Sequence, residues 1–157
     1  MTKRSVTHST FVIERTYPAS PARVFAAWAD PAIKSRWFGG PEDWGPEEFE
    51  LDFRIGGREI SRGGPVGGPV HAYEGRYYDI VPNERIVYAY DMHIDETRIS
   101  VSVATVELKP SGAGTRLIFT EQGAYLDGHD IPAEREHGTG ELLDALGAEL
   151  QRQPANA

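Results

Sequence analysis

The sequence predicts an α+β domain, an antiparallel meander with helices at both ends, and three features of the chain carry that prediction. Two cap-and-proline signals, Ser20-Pro21 and Asp30-Pro31, follow a first β-rich run. Apolar and polar residues then alternate through the middle of the chain, with turn residues between the runs. The last segment returns to helical spacing, with Leu142, Leu143, Leu146 and Leu150 on one stripe. Strands in succession closed by a terminal helix imply a sheet with that helix laid across one face.

Residues 1–8 are polar and are expected to fray. Phe11 to Tyr17 (FVIERTY) is rich in β-branched and aromatic residues and reads as the first strand, stopped by Pro18. Ser20 then caps a helix carrying Val24, Phe25 and Trp28 on one face. Asp30-Pro31 starts a second short helix, to about Trp37, that breaks from the first at an angle. In the segment RWFGGPEDW, Gly39, Gly40 and Pro41 exclude helix and strand, yet it holds two of the three tryptophans. A loop with so much aromatic bulk must fold onto a core, cap a cavity or meet a partner. Phe49, Leu51, Phe53 and Ile55 alternate as a strand, and Gly56-Gly57 turns it into REISR. A glycine-proline loop over 63–70 follows; it lacks the GKS/T of a phosphate loop. Further strands are expected over His71–Ile80, Arg85–His93, Thr97–Lys109 and TRLIFTEQ, and Asp130 with Pro132 offers an early start for the last helix.

Composition narrows the function classes. With 157 residues the chain is long enough for one sizeable core and too short for two, so residues 9–152 are expected to form a single domain with a tail over 153–157. Apolar residues at 39% and charged residues at 25% are those of an ordinary globular protein. No run approaches the ~18 apolar residues of a membrane span, and the N-terminus has no apolar core of an export signal. The absence of cysteine removes disulfides and thiol chemistry and fits a reducing cytoplasm. A net charge of −8 argues against nucleic acid as a partner.

The motifs WFGGPEDW, DFRIGGR, YEGRYYDIVPNERIVYAY and GAGTRLIFTEQG, in that order and followed by the leucine-striped helix, resemble a known family. They are similar to the AHSA1-like (Hsp90 ATPase activator homologue) branch of the START/Bet v 1-like (SRPBCC) superfamily, over most of the chain. That resemblance implies a helix-grip architecture. A curved antiparallel sheet of six or seven strands would wrap a long C-terminal helix, with two short helices after the first strand and a cavity between sheet and helix. It implies less about chemistry, because relatives span lipid carriers, cyclases and co-chaperone domains. One departure stands out: the family's last helix commonly begins Gly-Trp, where this chain has Gly140-Glu141. A mouth without that aromatic would be wider and more acidic. Gly138, Gly140 and Gly147 each weaken the helix by about 1 kcal/mol, so packing must hold it.

Strand parity selects candidate site residues. With Ile86 inward, Tyr88, Tyr90 and Met92 follow; with Leu117 inward, Phe119 and Glu121 follow; Glu59 and Ser61 share a face. Counting back from Ile80 brings Tyr78, Arg76 and Glu74 to the same side. Such an inner face is more polar than a core requires, and buried charge is costly unless paired or hydrated. An internal ion-pair network, a water-filled pocket and a polar ligand all meet that requirement. In the first of these, Arg54 or Arg76 would pair with Asp52, Glu59 or Glu74. For the third, the expected ligand-binding set is Trp37, Trp44, Glu59, Tyr78, Tyr88, Tyr90, Met92, Phe119, Glu121 and Glu141, with Trp37 facing the core and Trp44 at the rim. Asp130, Glu134 and His137 lack a metal spacing, and no G-x-S-x-G elbow exists.

The preferred expectation is binding of a small hydrophobic or amphipathic molecule without covalent chemistry, metal or cofactor. The alternatives are a cyclase, isomerase or hydrolase working through Glu59 or Glu121 with a tyrosine donor, and a co-chaperone module. A homodimer through exposed strand edges is also expected as an option. A chaperone partner ranks last, since this sequence lacks the extra N-terminal domain of a full co-chaperone.

Overall fold

The structure is a computed structural model that describes residues 3–41, 44 and 47–153. The ends of the expected frayed N-terminus and tail, and Glu42, Asp43, Gly45 and Pro46 of the acidic PEDWGPEEFE segment expected as a solvated rim, lie outside the described residues. In chain order the elements are β1 (Val6–Tyr17), α1 (Pro21–Ala29), α2 (Pro31–Trp37), β2 (Glu48–Leu51), β3 (Arg58–Gly63), β4 (His71–Val81), β5 (Arg85–Ile94), β6 (Thr97–Ser111), β7 (Gly114–Leu126) and α3 (Pro132–Arg152). Seven strands form one curved antiparallel sheet in the order β1-β7-β6-β5-β4-β3-β2. The sheet grips α3, and α1 and α2 complete the core beside it. This is the helix-grip architecture.

The two short helices form where the caps require. Ser20 Oγ accepts from the Arg23 amide, and Asp30 Oδ1 accepts from the Ala32 amide at 2.9 Å, each satisfying a donor that the helix start leaves open. α3 has no side-chain cap; Asp130 turns its other carboxylate oxygen to Arg135 instead. The helix is held by packing: Leu143, Leu146 and Leu150 are buried, and Tyr17 Oη donates to the Leu143 carbonyl at 2.7 Å.

Three elements differ from the expectation. β1 starts at Val6, because residues 6–10 find partners in Leu126 to Gln122 of β7 rather than fraying. β2 stops at Leu51: Phe53 turns against Phe25 and Tyr77, and Ile55 is 64% exposed. In β4 the pairing slips by one residue, with Tyr77 opposite Tyr88 and Asp79 opposite Val87. That bulge puts Tyr73, Gly75 and Tyr77 on the inner face and leaves Tyr78 59% exposed outside. Counting by twos from Ile80 crosses the bulge, so Tyr78, Arg76 and Glu74 are assigned to the wrong side.

Candidate functional site

The inner faces of β4, β5 and β7 carry tyrosine at Tyr73, Tyr77, Tyr88 and Tyr90, then Phe119 and Glu121. Trp28 of α1 lies over Phe119, and Trp37 meets Trp28 edge-on with ring centroids 4.8 Å apart. Between these rings and α3 lies a cavity of about 730 Å³. It is also bordered by the end of α2, by Phe38 to Pro41, and by Trp44.

The two tryptophans of the RWFGGPEDW segment have different roles. Trp37 is buried and donates its indole N–H to the Ala27 carbonyl at 3.0 Å, tying the end of α2 to α1. Trp44 is half-buried, its ring 4.7 Å from that of His71. It lies so close to Gly40 that a Cβ there would come within 2.3 Å of the ring. Any larger residue at that position would displace the Trp44 ring.

Eight of the ten expected site residues border the cavity: Trp37, Trp44, Tyr88, Tyr90, Met92, Phe119, Glu121 and Glu141. Glu141 sits exposed on α3 and pairs with His137 at 2.6 Å. Tyr78 does not border it, for the bulge turns it to the outer face. Glu59 is inward and 1% exposed, yet it is not on the cavity wall. A buried ammonium takes it instead: Lys34 Nζ lies 2.6 Å from Glu59 Oε1, which also accepts from Tyr77 Oη. Neither Arg54 nor Arg76 is its partner; Arg54 pairs with Asp52, and Glu74 with Arg58.

Sequence reasoning passed over Lys34, which is fully buried among Trp28, Phe38, Tyr77 and Tyr88 with its charge over their rings. Its spacing held the signal: three residues before Trp37, Lys34 shares that residue's helical face. Burial lowers its ammonium pKa against the pull of Glu59.

Arg135 was also passed over, although it stands four and seven residues before Thr139 and Leu142, on the inward stripe of α3. Its guanidinium donates to Tyr90 Oη at 3.0 Å, Ser100 Oγ at 2.8 Å and Asp130 Oδ2 at 2.5 Å. Tyr90 Oη in turn donates to Glu121 Oε1 at 2.8 Å. Burial holds the Glu121 carboxyl above its ordinary value of 4.5, opposed by Tyr90 and Arg135. Burial likewise pushes the hydroxyls of Tyr73, Tyr88 and Tyr90 up, so they stay neutral. The result is an aromatic cavity with one polar end, where Glu121 and Tyr90 offer acid-base and hydrogen-bonding groups.

Asp130, Glu134 and His137 do not converge, since Asp130 turns to Arg135 and His137 to Glu141. Among the described residues no three His, Asp or Glu side chains gather as a metal site needs, and no helix is long and apolar enough to cross a membrane.

The family described as activator of Hsp90 ATPase homolog 1-like protein matches residues 18–151. The chain belongs to this family. Solved structures of high similarity accompany that match. An uncharacterised protein from Rhizobium leguminosarum is 45% identical with a TM-score of 0.92, over 97% of this chain and 100% of that one. A protein from Rhizobium loti is 54% identical with a TM-score of 0.86, over 92% of this chain and 99% of that one. A protein from Chromobacterium violaceum is 28% identical with a TM-score of 0.76, over 92% of this chain and 98% of that one. Among curated proteins nothing matches the chain. Membership of this family suggests a ligand-binding fold.

Proposed function

We propose that the protein binds a small hydrophobic or amphipathic molecule in the cavity between the sheet and α3, without covalent chemistry. The observation that carries this reading is the space itself, about 730 Å³ walled by aromatic rings. Ligand pockets begin at about 300 Å³ and combine apolar walls with a few directing polar groups. Glu121, Tyr90 and Arg135 are such groups, gathered at one end. The test is native mass spectrometry of the purified protein, joined to titration with an apolar fluorescent naphthalene dye. Saturable one-to-one binding is expected. A dye that binds no better than to an unrelated protein, with no retained adduct, overturns the reading.

A second reading is an enzyme acting on a hydrophobic substrate, favoured by the hydrogen bond from Tyr90 Oη to a carboxyl whose burial resists ionisation. Glu59 drops out of it, because Lys34 and Tyr77 occupy that carboxylate away from the cavity. Turnover of a panel of hydrophobic esters and enones that disappears in Glu121→Gln would support the enzyme.

The cysteine-free, acidic sequence supports a cytoplasmic setting and disfavours nucleic acid as a partner, and neither reading calls on a membrane or a cofactor. β1 and β2 form the edges of the sheet, and a homodimer through one of them is a further proposal that gel filtration decides. Neither reading calls on a chaperone partner.

A further inference from the structure

The charges around the cavity distinguish among possible ligands. Among the described residues, three arginines and five carboxylates border it. Each of those arginines already faces a carboxylate, although Arg36 and Arg152 share one. Arg36 and Arg152 each lie 3.4 Å from the buried Glu149, and Arg135 is held between Asp130 at 2.5 Å and Glu121 at 3.7 Å. The carboxylates are less satisfied. Glu121 is 1% exposed, yet its Oε2 makes no hydrogen bond, and Tyr73 Oη, also buried on the wall, makes none either. Among the described residues, Glu134 at the rim has no ion-pair partner and Glu47 is engaged only by the Gly40 amide at 2.8 Å. An entering anion finds five carboxylates against three arginines, each of which already faces a carboxylate; a cation finds the balance in its favour.

The walls point the same way. Ring faces attract cations, and more strongly where water is excluded. Three rings of this cavity already do so for the protein's own ammonium: Lys34 Nζ lies 4.4 Å from the Phe38 centroid, 5.3 Å from Trp28 and 5.8 Å from Tyr88. Its charge is cancelled by Glu59 at 2.6 Å, so it does not repel a second cation. The Arg135 guanidinium similarly lies 5.7 Å from the Tyr90 ring.

We propose that the ligand of this cavity is an organic cation, an ammonium or related nitrogen cation on an aromatic or aliphatic body, with its charge directed to Glu121 Oε2, which lies 3.7 Å from Arg135 but accepts no hydrogen bond. The body lies against Tyr73, Tyr88, Tyr90 and Phe119. The proposal rests on the binding reading above and adds the class of molecule bound.

The test uses three probes with one body: naphthylmethylamine, naphthylmethanol and naphthoate, titrated calorimetrically into the full chain at neutral pH. The amine is expected to bind at least about tenfold more tightly than the alcohol (about 1.4 kcal/mol), and naphthoate most weakly. Added salt should narrow the gap. In Glu121→Gln, checked for folding by circular dichroism, the amine-to-alcohol ratio should fall toward one. Equal binding of all three, or a preference for naphthoate, overturns the cation proposal while leaving the binding function intact. Binding of none overturns both. A wild-type preference for the amine that survives unchanged in Glu121→Gln overturns the role given to Glu121.

Discussion

Replacing Lys34 by methionine removes a charge that is 0% exposed and leaves its partner, Glu59 at 1% exposure, buried without a counter-ion. The consequence can be worked from the contacts. Two unit charges 2.6 Å apart attract by about 6 kcal/mol at an effective dielectric constant of about 20. Removing two ions from water costs several kcal/mol each, so the intact pair contributes little net stability. An orphaned partner has no such offset. After Lys34→Met, Glu59 keeps only Tyr77 Oη on Oε1, and its Oε2 has no hydrogen bond even with the lysine present. Breaking a buried pair in this way costs about 3–5 kcal/mol, a large part of the roughly 5–15 kcal/mol that holds a typical domain. Glu59→Leu should cost a similar amount, by stranding the ammonium among the rings. The double variant Lys34→Met, Glu59→Leu should recover most of the loss. Methionine suits the aromatic box that now holds the lysine stem, and the remaining deficit is the Tyr77 hydroxyl without its acceptor, about 1–2 kcal/mol.

Urea unfolding followed by far-ultraviolet circular dichroism measures all three variants, and the double-mutant cycle isolates the coupling. At least about 3 kcal/mol of coupling is expected. Single variants that each lose under about 1 kcal/mol, with losses that add in the double, would refute the reasoning, since that is the behaviour of a solvated pair. Because Lys34 fastens α2 against the sheet and α2 ends in Trp37 at the cavity wall, the cycle also has a functional arm. Naphthalene-dye affinity should fall in each single variant and return in the double.

The remaining predictions concern the cavity wall and α3. Glu121 has a folded-state pKa raised above 4.5 by burial, so the native state holds its proton more tightly than the unfolded chain, and stability falls as pH rises from 4.5 to the folded value. Glu121→Gln should remove that slope, about 1.4 kcal/mol per pH unit within the window; parallel curves for variant and wild type would contradict it. Gly138 is mid-helix, and a Cβ added there would meet nothing within 4 Å, so Gly138→Ala should raise urea stability by up to about 1 kcal/mol. Gly147→Ala should lower it, because the new Cβ would lie 3.1 Å from the ring of Tyr17, whose hydroxyl is held by Leu143. Gly40→Ala should drive the Trp44 ring off its seat and shift tryptophan emission to the red, with little change in global stability.

Most of the fold was legible because its signals are local. Ser20-Pro21 and Asp30-Pro31 cap helices by contacts within a few residues, and the leucines of α3 repeat at the helical period. Alternation on β5 and β7 put Tyr88, Tyr90, Met92, Phe119 and Glu121 on the inner face, where they border the cavity. The errors of strand extent and register share one cause: each depended on a pairing partner distant in sequence, whereas Lys34 and Arg135 carried a local signal in their helical spacing. Whether β4 runs straight from Tyr73 to Ile80 is decided by its register with β5, and one slipped residue after Tyr77 reverses every assignment on one side of it. The same slip is what lets the site exist in its present form. A regular β4 that kept Ile80 against Ile86 would turn Tyr78 inward in place of Tyr77, and Tyr77 carries the hydroxyl that joins Glu59 and Lys34.

The polar inner face posed three options in the sequence, and the structure divides the inward carboxylates between two of them. Glu59 went to an internal ion pair, since a lysine on α2 reached it and aromatic rings sealed both from water. Glu121 remained on the cavity wall with one oxygen accepting no hydrogen bond, because its cation, Arg135, stands 3.7 Å from it and is shared with Asp130 and Ser100. A single inner face thus separates into a closed structural pair on β3 and an open polar end on β7, with β4, β5 and β6 between them. Composition and alternation treat the two glutamates alike; only the helices laid over the sheet tell them apart. Loss of Glu59 should therefore be read in unfolding curves, and loss of Glu121 in the discrimination between charged and neutral probes.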